Sequence, residues 1–162
     1  MKHIISALVE NHFGVLAHVS SLFSGRGFNI DSLSVGETED PTISRMTIVV
    51  RGDDRILEQV IKQLDKLVDV IKVIDFTPGT FIERDLVLIK VSADKETRSE
   101  IMQIVDIFRA KIVDISPSTL MVEATGAEGK IDAIIGMLKP FGIKEIARTG
   151  RVALQREYRG EV

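Results

Sequence analysis

The chain has no cysteine, no tryptophan and a single tyrosine among its 162 residues. Without cysteine there are no disulfides, no thiolate metal sites and no cysteine nucleophile, which fits a reducing compartment. Apolar runs are short: none approaches the ~20 residues of a membrane-spanning helix. The run from Ile4 to Val9 stops at Glu10 and lacks a signal-peptide pattern. We therefore expect a cytoplasmic protein with no membrane partner.

Excess positive charge is also missing. The formal net charge is −3, and no basic patch is interleaved with aromatic side chains. Neither a long-range field nor base stacking favours nucleic acid as a partner. Hydrophobic residues make up 44% of the chain, which is enough to build a core, so we expect a folded protein.

Two similar series of apolar patterns follow one another along the chain. The first consists of strand-like, helical, strand-like, strand-like, helical and strand-like stretches at 3–9, 15–25, 28–36, 43–50, 53–67 and 70–76. The same order recurs between residues 86 and 147. A β-α-β-β-α-β unit folds as a four-stranded antiparallel sheet with two helices on one face. We therefore predict an α+β protein of two tandem ferredoxin-like βαββαβ domains.

A break around Pro78 and Gly79 separates the two series. We place the first domain at residues 1–77, a linker at 78–83 and the second domain at 84–162. Helices would cover only one face of each sheet, yet strands such as 43–50 carry apolar residues on both faces. The uncovered face predicts pairing with the sister domain or with another chain. The arginine-rich end of the chain is expected to be a solvated tail or a docking segment.

The loop from Glu10 to Leu16 joins the first strand to the first helix and is the best candidate for a binding site. The first N–H groups of a helix lack intrahelical partners and suit a small anion. Gly14 lets a ligand approach the backbone closely, and Val15 and Leu16 add apolar surface. Such a loop suits a small molecule with a carboxylate and an apolar side chain, such as an amino acid. A plain turn needing glycine is the alternative.

Gly25 and Gly27 are expected to end the first helix. A second candidate pair, Asn29 and Ile30, begins the second strand directly after them. Asn29 can donate and accept hydrogen bonds, and Ile30 is apolar. In a ferredoxin-like dimer this edge can approach the glycine loop of a partner. The alternative is that Asn29 is a turn residue that tolerates an unusual backbone angle.

We find no credible catalytic set. The histidines His3, His12 and His18 share no spacing that places two on one helix face, which argues against a metal site. The pair Asp53–Asp54 precedes a helix, as a cap does. Nucleophile-elbow, Walker and dinucleotide patterns are absent. The sequence therefore favours a binding or regulatory module over an enzyme, with no catalytic residue and no metal ligand.

Beyond these patterns, the sequence resembles a known family. Asn11-x-x-Gly14-Val15-Leu16, followed by Leu22–Ser24 and Arg26–Ile30, is similar to an ACT domain, a ferredoxin-like amino-acid sensor. The stretches 40–48, 63–70, 83–91, 108–110 and 147–150 resemble the small, regulatory subunit of acetolactate synthase (acetohydroxyacid synthase). The similarity covers nearly the whole chain, including both domains.

This resemblance implies a function. Such subunits activate a separate catalytic subunit and make it sensitive to feedback by a branched-chain amino acid, usually valine, bound between two ACT domains. Carried over by position, the site would comprise Asn11, Gly14, Val15 and Leu16 of one chain and Asn29 and Ile30 of the other. The resemblance implies no cofactor in this chain, whereas the catalytic partner uses thiamine diphosphate, magnesium and FAD.

Three other interpretations remain open at this point. In the first, the chain is an ACT-type sensor for a different enzyme. In the second it is a small enzyme on the same scaffold, and in the third a purely structural oligomerisation module. The choice among branched-chain amino acids and the number of subunits are also left open.

Overall fold

The computed structural model describes residues 1–76 and 81–157 and contains two compact units. The first comprises the described residues from Met1 to Ile82 together with residues 151–157; the second is Glu83–Gly150. Of the predicted linker 78–83, the first three residues lie outside the described residues. The last three lie in a strand.

The first unit has the predicted β-α-β-β-α-β order. Its elements are β1 (Lys2–Glu10), α1 (Val15–Arg26), β2 (Asn29–Glu37), β3 (Ile43–Arg51), α2 (Asp54–Asp65) and β4 (Val70–Asp75). The strands form an antiparallel sheet in the order β2-β3-β1-β4. β2 and β4 are therefore the edges of this four-strand path, a point that matters for the site.

Local chemistry sets the ends of both helices. Gly27 ends α1 in the left-handed conformation, with φ 67°. Asp53 caps α2, since its Oδ1 accepts a hydrogen bond from the Ile56 N–H at 3.0 Å. Both features were predicted and are confirmed. Along α1, Val15, Val19 and Phe23 recur every fourth residue and are buried against the sheet.

The second unit repeats the arrangement. Its elements are β5 (Phe81–Ser92), α3 (Arg98–Ile107), β6 (Lys111–Ile115), β7 (Thr119–Gly126), α4 (Glu128–Leu138), a 3₁₀ turn (Lys139–Phe141) and β8 (Ile143–Arg148). The strand order is β6-β7-β5-β8. Its core is formed by side chains of its strands and of both its helices, including Ile89, Ile101 and Ile134. The predicted fold class is confirmed.

One of the two expectations for the arginine-rich end is wrong over residues 151–155. This stretch is not a solvated tail, because it contains the strand β9 (Val152–Gln155) and its Ala153 is buried. In the first unit Ala153 joins Ile4, Val49, Phe76 and Phe81 in a small core on the face of the sheet that the helices leave open. Arg151 is only 7% exposed. The strand therefore covers part of the apolar face for which we expected a partner.

Among the described residues, no helix combines the length and the apolar character needed to cross a bilayer.

Candidate functional site

Gly14 shapes the loop between β1 and α1. It is the N-cap of α1 in the left-handed conformation, with φ 89° and ψ −8°, which a glycine adopts without strain. A Cβ built at this position would meet nothing within 4 Å, so the space beside the helix start is open. Because glycine has no side chain, the N-cap offers no side-chain acceptor to the first N–H groups of α1, and only its carbonyl accepts, from the His18 N–H at 3.0 Å. Those N–H groups remain available to a ligand.

Val15 and Leu16 play different parts at this helix start. The Val15 side chain is 4% exposed and belongs to the core of the first unit. Its N–H lies 3.5 Å from the His12 carbonyl, at the weak limit of a hydrogen bond. Leu16 is 48% exposed. Val15 therefore offers its backbone N–H, and only Leu16 offers the apolar surface that we expected from both.

Asn11 anchors the loop to the turn between β2 and β3. Its side-chain Nδ2 donates to the Pro41 carbonyl at 2.9 Å and to Glu37 Oε1 at 3.2 Å. Its backbone N–H donates to the Thr42 carbonyl at 2.7 Å. These contacts place the loop beside the last residue of β2. They leave the Asn11 Oδ1 as the atom suited to accept from an ammonium group.

Asn29 and Ile30 lie at the other end of the same sheet. Asn29 pairs with Arg51, which also pairs with Lys2 at the start of β1, whereas Glu10 at the end of β1 pairs with Ile43. The nine residues of β1 at ~3.4 Å per residue put roughly 27 Å between those ends. Asn29 is exposed, and Ile30 packs against its own core. One chain therefore does not bring the two parts of the predicted site together.

The turn that holds Asn11 is itself fixed by Asp40. The Asp40 Oδ1 accepts from the Thr42 hydroxyl at 2.7 Å and from the Thr42 N–H at 3.0 Å. These hydrogen bonds to Thr42 hold the pKa of the Asp40 carboxyl below its ordinary value. The negative charge stabilises the turn against which the loop rests.

Sequence reasoning missed Asp69, which lies beside the loop. His18 Nδ1 is 2.9 Å from Asp69 Oδ2, and His12 Nε2 is 2.8 Å from Asp69 Oδ1. The hydrogen bond from His18, with the charge of His12, lowers the pKa of Asp69. The Phe13 carbonyl, with Asp69 and Glu10, raises the pKa of His12. No sequence signal joins Asp69 to histidines over fifty positions away; only the pairing of β1 with β4 does so.

The fold and loop of the first unit define an ACT domain. A family model described as an AHAS small subunit-like ACT domain matches residues 5–72. A second model, described as the small subunit of acetolactate synthase, matches residues 84–157. The chain belongs to the family of acetolactate synthase small subunits.

Whole-chain comparisons agree with these models. The chain is 57% identical over 155 residues to the probable acetolactate synthase small subunit of Methanothermobacter thermautotrophicus, covering 95% of this chain and 92% of the relative. It is 55% identical over 157 residues to the acetolactate synthase small subunit of Aquifex aeolicus, covering 96% and 82%. The crystal structure of the acetolactate synthase small subunit from Thermotoga maritima matches with a TM-score of 0.89 at 47% identity, covering 98% of this chain and 99% of that one.

Family membership fixes the general role. The relatives are small subunits of acetolactate synthase, which places this chain with the regulatory rather than the catalytic part of that enzyme. A small subunit implies a catalytic partner, and branched-chain amino acid biosynthesis follows as the setting.

Proposed function

We propose that this chain activates the catalytic subunit of acetolactate synthase and makes it sensitive to feedback by valine. Valine would bind where Asn11, Gly14, Val15 and Leu16 of one chain meet Asn29 and Ile30 of a second copy. The cofactors of the reaction, thiamine diphosphate, magnesium and FAD, would belong to the catalytic partner and not to this chain. The subunit would act in the cytoplasm.

The observation that carries this proposal is the separation of the two parts of the site. The loop and Asn29 lie at opposite ends of a nine-residue strand, so a site that uses both needs two chains. Within the described residues of the first unit, β2 pairs with β3 alone and leaves its other edge free. Exposed strand edges are ready to pair with another strand.

A two-fold pairing of β2 with β2 would complete the site. Strands related by a two-fold axis across a sheet edge run antiparallel, so the end of one lies beside the start of the other. The end of β2 is Glu37, which accepts from Asn11, and its start is Asn29. In such a dimer Asn29 of each copy would therefore lie beside the glycine loop of the other copy, which makes two equivalent sites.

The chemistry of the loop suits free valine. The carboxylate would accept from the N–H groups of the first turn of α1, a gain of ~0.3–1 kcal/mol from the helix terminus. The Asn11 and Asn29 amides would bind the remaining polar atoms. Burying the isopropyl group against Leu16 and the partner's strand would add ~1.5–3 kcal/mol. A coupling of ~1–3 kcal/mol to the catalytic subunit would be enough for control.

The primary experiment mixes this chain with its catalytic partner and measures acetolactate formation from pyruvate. We expect the chain alone to form none, the mixture to exceed the catalytic subunit alone, and valine to remove that gain. Activity unchanged by the chain would contradict activation. Activation without any response to valine would contradict the feedback role while leaving family membership intact.

A mixed dimer tests the shared site directly. One copy carries Gly14→Asp and the other Asn29→Ala, with different affinity tags so that only mixed dimers are assayed. The pairing leaves one of the two shared sites intact, so we expect tight valine binding at half the wild-type stoichiometry, although each variant by itself binds only weakly. The matched control pairs wild type with the double variant and damages both sites. Binding in that control, with none in the first mixture, would place each site within a single chain.

A further inference from the structure

Four side chains meet beside the glycine loop and form what we call the Asp69 cluster: Glu10, His12, His18 and Asp69. His12 Nε2 lies 2.8 Å from Asp69 Oδ1 and 3.2 Å from Glu10 Oε2. One ligand atom from each of Glu10, His12 and Asp69 lies within 4.8 Å of the other two. The Asp69 Oδ2 faces His18 Nδ1 at 2.9 Å. An imidazole and two carboxylates therefore converge on one point.

The backbone holds these side chains in place. Glu10 is the last residue of β1, His18 lies in α1, and Asp69 immediately precedes β4. The Glu10 N–H donates to the Asp69 carbonyl at 2.8 Å, which fixes these two residues relative to each other. His12 is in the short segment between β1 and α1. The cluster thus draws on two adjacent strand ends and the helix packed over them.

We propose that Glu10, His12 and Asp69 bind one divalent transition-metal ion of the zinc class, with His18 as the residue that positions Asp69. Imidazole and carboxylate are ligands that zinc takes at about 2.0–2.2 Å, which sets tetrahedral donors about 3.3 Å apart. The 3.2 Å from His12 Nε2 to Glu10 Oε2 is close to that spacing, and the 2.8 Å to Asp69 Oδ1 is about 0.5 Å shorter.

Exposure and second contacts also fit such a site. The Asp69 side chain is 14% exposed, whereas His12 and Glu10 are about half exposed, so water can complete the coordination from the open side. Ligating carboxylates are themselves oriented by hydrogen bonds, and His18 supplies one to the second oxygen of Asp69. The histidine spacing predicted no metal site, because the residue that joins the two histidines is remote in sequence.

Glu10 and His12 flank Asn11 in the sequence. Because both would be ligands, the ion would fix the loop on both sides of Asn11. The proposal does not depend on valine binding, and its test uses no amino acid.

The test is a zinc titration of the tag-free full chain in competition with a chromophoric zinc chelator. We expect one Zn²⁺ per chain. His12→Ala and Asp69→Asn should each weaken zinc binding at least about tenfold, because each removes or weakens one of three ligands. His18→Gln should weaken it about tenfold, as loss of an outer partner does. The matched control is Glu58→Gln on the exposed face of α2, which should bind zinc like wild type.

Co²⁺ provides a second readout. Visible absorption of the Co²⁺-loaded chain should be lost in His12→Ala, an exposed-loop variant whose fold circular dichroism can verify. Less than one ion per chain, or equal zinc affinity in wild type and His12→Ala, would overturn the proposal and leave the Asp69 cluster as an ion-pair network alone.

Discussion

The two units share one topology but differ at the junction between their first strand and first helix. In the first unit the N-cap is Gly14, which has no side chain to bind the helix start. In the second unit the N-cap of α3 is Thr97, and Asp94 lies three residues before it. The Asp94 Oδ1 accepts from the N–H groups of Glu96 and Thr97, both at 2.9 Å, in the turn that leads into α3. The second junction thus has a carboxylate of the protein bound to the N–H groups just before its helix, whereas Gly14 offers no side chain at the first junction.

This contrast explains why one copy of a repeated fold is the sensor candidate. A carboxylate from the protein already occupies the second junction, so a free amino acid would have to compete with it. The same three-residue offset places Asn11 before Gly14 and Asp94 before Thr97. Asn11, however, turns its amide to Pro41 and Glu37 instead of the helix. Because Asn11 carries no negative charge, the N–H groups at the start of α1 are left for the carboxylate of the proposed ligand.

The largest effect is expected where the first junction is given a charge. Gly14→Asp places a carboxylate at the proposed valine carboxylate position. Like charges at 4 Å repel by ~1 kcal/mol in water and ~4 kcal/mol at an effective dielectric of 20. We expect the Kd for valine to rise about tenfold or more, measured by isothermal titration calorimetry.

Gly14→Asn is the matched control for this change. Asparagine has nearly the same shape and tolerates the left-handed conformation as aspartate does, but it carries no charge. It should retain most of the affinity. Equal losses in the two variants would mean that bulk or strain, not charge, disturbs the loop, and unchanged binding in both would remove the glycine loop from the site.

The next prediction separates two adjacent residues of the loop. Val15→Ala removes buried methyl groups from the core of the first unit and should lower its free energy of unfolding by about 2 kcal/mol. Leu16→Ala changes a half-exposed side chain and should cost far less stability while weakening valine binding. Denaturant unfolding and calorimetry of both variants measure the two effects. The reverse pattern would exchange the roles that we assign to these side chains.

Sequence patterns anticipated the scaffold better than the site. Gly27 and the Asp53 cap act within a few residues of their own position, so local rules predicted both correctly. Val15 shows the limit of such rules, because adjacency to Leu16 suggested shared exposure and only helix packing reveals that one side chain is buried. Asp69 and β9 depend on contacts between distant segments, which no local pattern encodes.

The third prediction concerns a substitution that places an aspartate in the first junction at the position that Asp94 has in the second. Asn11→Asp removes the amide donor from the Pro41 carbonyl and places a carboxylate beside Glu37. We expect the first unit to lose about 1 kcal/mol of stability, the typical value of a hydrogen bond. Amide hydrogen exchange around the β2–β3 turn reports the change. A stabilised turn would show that Asn11 does not anchor the loop.

The smallest effect belongs to the reverse exchange, Asp94→Asn in the second unit. The N–H groups of Thr97 and Glu96 lower the pKa of Asp94 below its ordinary value. A carboxyl whose folded pKa is lowered contributes stability above its unfolded pKa and loses it as the pH falls through the folded pKa. Asparagine keeps an acceptor oxygen but no charge, so the melting temperature should drop slightly at neutral pH. The difference from wild type should shrink in acid below the unfolded pKa.

Asp132→Asn on the exposed face of α4 is the matched control. A difference that persists unchanged into strong acid would mean that the Asp94 charge does not stabilise the turn before α3, and the contrast between the two junctions would then rest on Gly14 alone.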